Sequence, residues 1–305
     1  MFIEVLTQVI ILFILMLLGV VLTKLNVISK VGVNNITDIV LYTVTPCVII
    51  KSFIREFDTK TLKNLLLSFL VSFAVHTALI IITRIALPSK DAARKGVLQF
   101  GTMFGNCGYM SLPLQQALLG DDGVFFCATF IAVFNIFSWT YGVFIVSGDR
   151  RNITAKKLIL NPGVISTAIG LIIFLCSIPM PKIVAEPIGY LAALNTPLPM
   201  IVIGYHLAQT KLLGVFKDIQ CLWAIVLRLI LIPLCALGAL YLCGIRGALL
   251  VSTVISCSAP TAANTTMFAT KYNSDTSLSV GMVSLSTLLS LITIPIIVSF
   301  AQSIA

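Results

Sequence analysis

Long apolar runs recur along the whole sequence, and each is about as long as a lipid bilayer is thick. The first, Val5 to Leu22, holds no charged residue. A helix of about 20 such residues crosses a bilayer with its own backbone hydrogen bonds satisfied. Charged residues make up only 10% of the 305 residues, whereas a soluble domain carries about 25%, and the mean hydropathy is +1.07. These features predict an all-α membrane protein.

The apolar runs divide into ten predicted transmembrane helices. Their edges are 4–24, 31–53, 62–87, 93–119, 122–147, 158–178, 183–209, 218–243, 247–271 and 275–302. The centres of helices 4 and 9 read Gly105-Asn106-Cys107-Gly108-Tyr109-Met110-Ser111-Leu112-Pro113 and Ser256-Cys257-Ser258-Ala259-Pro260-Thr261-Ala262-Ala263-Asn264. Irregular backbone at membrane depth persists only inside protein or beside a watery cavity. We therefore predict that both helices are broken and face the protein interior.

Proline positions indicate an internal repeat. Thr45-Pro46 in helix 2 and Thr196-Pro197 in helix 7 are 151 positions apart, and Pro113 and Pro260, which we expect to break helices 4 and 9, are 147 apart. Both offsets are near half the chain, and an odd number of spans in each half inverts the second half. The alternative is a chance coincidence of prolines, which transmembrane helices tolerate. We predict two inverted five-helix repeats, 1–150 and 151–305.

Lysine and arginine counts in the loops predict the orientation. With the N-terminus outside, 13 of these residues fall in inside loops and 6 in outside loops. Cytoplasmic loops carry an excess of Lys and Arg, so we predict both termini outside in a multi-pass protein of the cell (plasma or inner) membrane. The net charge of +9 is then mostly charge at the cytoplasmic face, and no nucleic-acid partner is expected.

Polar residues cluster around the two predicted breaks, and the two segments contain no Asp or Glu. The cluster comprises Asn106, Tyr109, Ser111, Ser258, Thr261, Asn264 and Thr265. A broken helix leaves unpaired N–H groups at the start of its second half, and these favour an anion. Asparagine amides can donate to a carboxylate. The alternative is that Asn106 and Asn264 only satisfy freed backbone groups.

Three further polar residues lie inside predicted helices. Asp38 is near the cytoplasmic start of helix 2, as expected for an interfacial residue. His76 is either a hydrogen-bonded structural histidine or a proton relay. Arg228 either extends its side chain to the interface or attracts anions. The sequence has no metal-binding His pair, nucleophile motif or phosphate loop, so we expect no enzyme activity, no cofactor and no metal site.

These features resemble the auxin efflux carrier family, which includes the plant PIN carriers and compact bacterial permeases for malate-like acids. The resemblance covers essentially the whole chain. It rests on the five-plus-five helices, on Gly105-Asn106-x-Gly108-Tyr109-x-x-x-Pro113 and on Ala259-Pro260-Thr261-Ala262-Ala263-Asn264. It implies a fold like the sodium/proton antiporters and bile acid carriers, in which helices 4 and 9 cross at the substrate site. Asn106, Pro113, Pro260 and Asn264 match the crossover positions.

The resemblance also implies how the helices share the work. Helices 1, 2, 6 and 7 would form a scaffold and a homodimer surface, and helices 3–5 and 8–10 a transport domain. The scaffold residues that would face the site are Thr45, Pro46, Asn195, Thr196 and Pro197. The link from Ser147 to Lys157 has no room for a regulatory domain, as in the compact bacterial branch.

We therefore predict a secondary active or facilitative transporter of a small organic anion, a malate-like or auxin-like carboxylate, working by an elevator-type mechanism. Its predicted substrate-binding residues are Asn106, Tyr109, Pro113, Pro260, Thr261, Asn264, Thr45, Pro46, Asn195 and Thr196. One alternative is a sodium-coupled organic-anion symporter of bile-acid type, which the lack of a carboxylate at the crossover disfavours. Another is a membrane sensor that binds the ligand without moving it.

Overall fold

The computed structural model describes residues 2–153, 156, 159–209 and 216–305. These residues form helices joined mostly by short turns. In chain order the main helices are α1 (Phe2–Lys24), α2 (Lys30–Phe53), α3 (Thr59–Ala86), α4 (Ala92–Met103), α5 (Cys107–Ser147), α6 (Pro162–Leu175), α7 (Lys182–Ala193), α8 (Pro197–Ala208), α9 (Ile219–Leu242), α10 (Gly247–Ser258), α11 (Asn264–Lys271) and α12 (Thr276–Ile304).

Seven helical segments among the described residues are long and apolar enough to cross a membrane. They are α1, α2, α3, α5, α9, α12 and the segment Lys182–Ala208, which contains α7 and α8. The helices α6 and α10 are apolar but shorter. The predicted all-α membrane protein is therefore confirmed, while the count of ten spans stays a prediction. Lys157 and Lys211, which the charge count includes, lie outside the described residues.

The helices are interrupted where the sequence is rich in small and polar residues. The predicted helix 4 consists of α4 and the first arm of α5, separated at residues 104–106. This arm ends at Gly120, whose φ of +61° turns the chain into the second arm. Such a backbone conformation suits glycine because it has no Cβ. The predicted helix 9 is likewise divided between α10 and α11.

Three of the prolines inside helices follow wide turns and not breaks. Thr45, Leu112 and Ile232 each donate their backbone N–H to the carbonyl five residues earlier, and each directly precedes a proline. Proline lacks an N–H and clashes with the preceding turn of a regular helix, which an i→i+5 turn accommodates. The expectation that Pro113 breaks helix 4 is therefore wrong: Pro113 lies within α5, and the break comes earlier.

Two pairs of helices pack closely in one part of the molecule. α1 packs along α8, where a Cβ on Gly204 would come within 2.1 Å of the Met16 carbonyl oxygen, and α2 packs along α6. On α6, a Cβ on Gly170 would come within 2.7 Å of the ring of Phe53. Glycine allows backbones to approach closely in membrane helix pairs.

The remaining helices pack around an aromatic core. α3 packs on α5, and α4 packs on the end of α5; α9 and α10 pack on α12. Phe100 and Phe104, at the end of α4, have ring centroids 4.5 Å apart, and Phe104 meets Phe134 of α5 edge to face at 5.4 Å. This core lies directly beside the interruption that follows α4.

Candidate functional site

The interruptions after α4 and α10 pair with each other. Gly105 and Thr261 form an antiparallel bridge. The N–H of Asn106 donates to the carbonyl of Pro260 at 2.7 Å, and the N–H of Ala262 donates to the carbonyl of Phe104 at 2.9 Å. The two unwound segments therefore satisfy part of each other's backbone, and they bring four helix ends to one place.

Arg228 satisfies the carbonyls at the ends of α4 and α10. Its guanidinium donates to Thr102 and Met103 at 3.4 and 3.3 Å, and to Ser256 and Ala259 at 3.1 and 2.8 Å. The residue is only 1% exposed. The expectation that its side chain extends to the interface is therefore wrong. An arginine within an apolar run is the one sequence signal for this position.

Thr261 is fully engaged in holding the interruption together. Its backbone N–H is not available to a ligand, since it donates to the hydroxyl of Ser286 at 3.1 Å. Its own hydroxyl donates to the carbonyl of Gly101 at 3.0 Å, and the residue is fully buried. Thr261 was predicted to bind substrate, but in this structure its polar groups join α4, α12 and the segment before α11.

The two asparagines are placed differently. Asn106 directly precedes α5 and Asn264 is the first residue of α11, yet in neither helix does a side chain cap the N-terminus. Asn106 is buried and Asn264 half-buried. Arg228 and the opposite interruption satisfy the freed carbonyls described above, and both readings of the asparagines, as partners of the backbone or as ligand donors, stay predictions.

Open space and a further polar atom lie beside these asparagines in the chain. A Cβ built on Gly108, in the first turn of α5, would meet no atom within 4 Å. The hydroxyl of Thr265, in the first turn of α11, is buried without a hydrogen-bond partner among the described residues. The starts of α5 and α11 therefore offer an asparagine amide each, an unpaired hydroxyl on α11 and room beside α5.

A polar network joins α5 to α10, and its central residue, Gln115, is one that the sequence analysis missed. Gln115 donates to the hydroxyl of Ser256 at 2.9 Å and accepts from the hydroxyl of Ser252. The hydroxyl of Ser111 donates to the carbonyl of Ile255 at 3.3 Å. A glutamine within an apolar stretch was the available signal. The network holds the start of α5 against the end of α10.

The other predicted residues divide between two places. Tyr109 is half-buried and packs against an apolar cluster that includes Met200 and Ile203 of α8. Pro113 is buried within α5, and Pro260 is buried in the interruption. They thus lie at or near the paired interruptions after α4 and α10, which we call the crossing, but with no polar side-chain group except the Tyr109 hydroxyl.

Thr45 and Asn195 meet between α2 and the turn that joins α7 to α8. The hydroxyl of Thr45 donates to Oδ1 of Asn195 at 3.3 Å. The Asn195 Nδ2 group is buried and has no hydrogen-bond partner among the described residues. Pro46 and Thr196 are half-buried neighbours in the chain. None of the hydrogen bonds between described residues joins this pair to Asn106 or Asn264.

His76 and Asp38 lie in contrasting surroundings. His76 is buried, with Nδ1 at 2.8 Å from the carbonyl oxygen of Ser72 and its ring among phenylalanines including Phe130 and Phe137. This environment is that of a hydrogen-bonded structural histidine. Asp38 is exposed on α2, as expected for a residue at the interface.

Unwound, paired helix interruptions inside an all-helical apolar chain are typical of membrane transport proteins. In agreement with this, the chain belongs to the family described as membrane transport protein, the auxin efflux carrier family. Its sequence matches that family over residues 4–157 and 151–298. It is therefore a multi-pass membrane protein of a transporter family.

Two curated archaeal proteins are similar along almost their whole length. An uncharacterized transporter of Methanothermobacter thermautotrophicus is 24% identical over 287 residues, which cover 93% of this chain and 94% of that protein. An uncharacterized transporter of Methanocaldococcus jannaschii is 23% identical over 298 residues, which cover 94% and 95%. Neither description names a substrate.

Proposed function

We propose that this protein is a secondary transporter of a small organic anion, a carboxylate of malate-like or auxin-like type. The observation that carries the proposal is the pairing of the two interruptions, where Arg228 brings a guanidinium and neither segment holds an acidic side chain. The N-terminal ends of α5 and α11 favour negative charge, and the amides of Asn106 and Asn264 can donate to a carboxylate.

Ten spans in two inverted five-helix repeats fit the packing of the helices. In this arrangement, helices 1 to 5 of the first repeat correspond to helices 6 to 10 of the second. Predicted helices 1 and 7 are α1 and α8, and their counterparts, helices 6 and 2, are α6 and α2; both pairs pack together. Likewise, the first part of helix 4 packs on helix 5 (α4 on the end of α5), and the first part of helix 9 packs on helix 10 (α10 on α12). The helix α9 contains a wide turn that its proposed counterpart α3 lacks, so the two proposed repeats would differ in detail.

An elevator-type movement is the mechanism that we propose. The scaffold would comprise α1, α2, α6, α7 and α8, and would also form a homodimer surface; the transport domain would comprise α3, α4, α5, α9, α10, α11 and α12. The close backbone contacts of α1 with α8 support a rigid scaffold. Thr45 and Asn195 would face the moving site from that scaffold, and the unpaired Asn195 amide would be a donor there.

A screen of carboxylates in proteoliposomes tests this function. Vesicles containing the purified protein and loaded with an unlabelled acid should accumulate the same labelled acid by counterflow, and protein-free vesicles should not. Binding of the acid without counterflow would support the sensor and contradict the transporter. Neither binding nor counterflow for any mono- or dicarboxylate would contradict the substrate class.

We propose that both termini face outward across the cell membrane. The charge asymmetry of the loops supports this orientation. In a variant that lacks the exposed cysteines Cys176, Cys235 and Cys243, an Arg150→Cys substitution should react with a thiol reagent only after the reagent enters the cytoplasm. Reaction with an impermeant reagent in intact cells would reverse the orientation.

A further inference from the structure

Arg228 lies where two helix C-termini converge. Thr102 and Met103 are the last residues of α4, and Ser256 and Ala259 lie at the end of α10 and directly after it. Arg228 reaches all four carbonyls from the wide turn Leu227–Leu231 of α9. A helix C-terminus carries about half a negative charge, so two of them at one buried point favour a cation.

The surrounding chain is shaped to hold this guanidinium. A Cβ at residue 105 would lie 1.7 Å from Nη2 of Arg228, so a larger residue there would displace the guanidinium from its present position. None of the ion pairs between described residues involves Arg228, and its hydrogen-bond partners there are backbone carbonyls. Its charge is therefore balanced by helix ends and not by an acidic side chain.

In transporters with broken helices, unwound carbonyls and the C-terminal ends of half-helices coordinate the transported cation. We propose that Arg228 is a resident cation that occupies such a position permanently. This inference rests on the proposed function and adds the origin of the site's charge. The guanidinium neutralises the two C-termini without entering or leaving, and the helix N-termini on the other side of the crossing are left to attract the anion.

Chemical rescue tests the inference through stability alone. Purified Arg228→Ala should unfold at a temperature lower than the wild type by at least about 4 °C. Millimolar guanidinium should restore part of this loss, in proportion to the logarithm of its concentration once the site is nearly saturated. Choline at equal ionic strength should not. In the wild type guanidinium should only lower the melting temperature, because it has no site to fill.

Arg246 provides the matched control. It also donates to carbonyls near the end of a helix, those of Tyr241 and Ile245, but at an exposed position. Arg246→Ala should show no rescue by guanidinium. A wild-type melting temperature for Arg228→Ala, or equal responses of the two alanine variants to guanidinium, would overturn the proposal.

Two substitutions with longer side chains test the proposal even if Arg228→Ala does not fold. Arg228→Lys keeps the charge, and Arg228→Met keeps much of the volume without it. The lysine variant should melt at a higher temperature than the methionine variant, and equal melting temperatures would overturn the proposal. Since these measurements use no substrate, they can fail while counterflow of a carboxylate succeeds, and the reverse.

Discussion

At the scale of single residues, the crossing separates groups that hold the backbone from groups that are left for a ligand. Arg228 donates to four backbone carbonyls, and Thr261 donates to the Gly101 carbonyl and the Ser286 hydroxyl. Asn106 and Asn264 stand at the starts of helices without a side-chain cap. Removing the first kind of residue should therefore affect stability, and removing the second should affect binding.

Asn106→Ala and Asn264→Ala should each weaken binding of the carboxylate. A hydrogen bond to a charged group contributes about 1.5–3 kcal/mol, so the dissociation constant should rise roughly ten- to hundredfold. Titration of the purified variants with the acid found by counterflow would measure it. Asn35→Ala, at an exposed position of α2, is the control. Near-normal binding in both crossing variants would remove the asparagines from the site.

Gly105 and Gly108 are close in the sequence but differ in their surroundings, so alanine substitutions at the two positions test the packing around the interruption. Gly105→Ala would place a methyl group against Arg228, and overpacking of this kind costs about 1–3 kcal/mol. Gly108→Ala meets open space, so its melting temperature should stay near that of the wild type. Equal melting temperatures for the two variants would show that Arg228 does not lie against Gly105.

At the scale of helices, the breaks could be predicted but their cause could not. The run of glycine, asparagine and small residues around position 105 indicated irregular backbone, and the structure has it at residues 104–106. Pro113 was assigned the break because proline disrupts regular helices. The wide turn before it absorbs that disruption locally, and single-sequence patterns do not distinguish an i→i+5 turn from a break.

Three helices of the proposed transport domain begin at a shared group of charges. Arg94 of α4 pairs with Asp218, which precedes α9, and lies 3.9 Å from Asp275, which precedes α12. Burial raises the pKa of Asp218, but hydrogen bonds from Arg94 and from the N–H of Cys221 lower it by more. The pKa of Asp218 therefore lies below its usual value. The charged form of Asp218 therefore stabilises the fold.

Asp218→Asn should lower the free energy of unfolding by up to about 1 kcal/mol near neutral pH, once screening by solvent is allowed for. Asparagine remains a good N-cap, so the change isolates the charge. A lowered folded pKa contributes stability above the unfolded value of about 3.9, and that contribution is lost as the pH falls through the folded pKa.

Denaturation of the wild type and Asp218→Asn in detergent at a series of pH values measures this dependence. The difference between the two proteins should be largest near neutral pH and should shrink below about pH 4. A difference that does not change with pH would assign the effect to the cap and not to the ion pair.

At the scale of the whole molecule, the sequence reveals the class of protein better than its internal contacts. Apolar runs follow from the solvent alone, so the membrane fold could be predicted. The contacts of Arg228 join residues 28 to 126 positions apart, and no local pattern encodes them. The same holds for Gln115, whose partners Ser252 and Ser256 come from the other half of the chain.

The coupling of transport to an ion depends on the groups that the two interruptions and Arg228 bring together. Transport should not require sodium, because a sodium site at membrane depth needs several oxygen ligands and generally a carboxylate. The interruptions contain no Asp or Glu, and Arg228 already occupies the carbonyls at the ends of α4 and α10. A sodium ion there would face a fixed positive charge.

Uptake of the carboxylate into proteoliposomes should therefore be unchanged when sodium is replaced by potassium or choline at fixed pH and membrane potential. Arg228→Met is the informative comparison, since it frees the same carbonyls without supplying a charge. If the wild type loses uptake without sodium and regains it on addition, sodium binds elsewhere in the chain, and the bile-acid-type symporter replaces the sodium-independent carrier. If sodium affects only the methionine variant, the arginine is what makes the wild type independent of it.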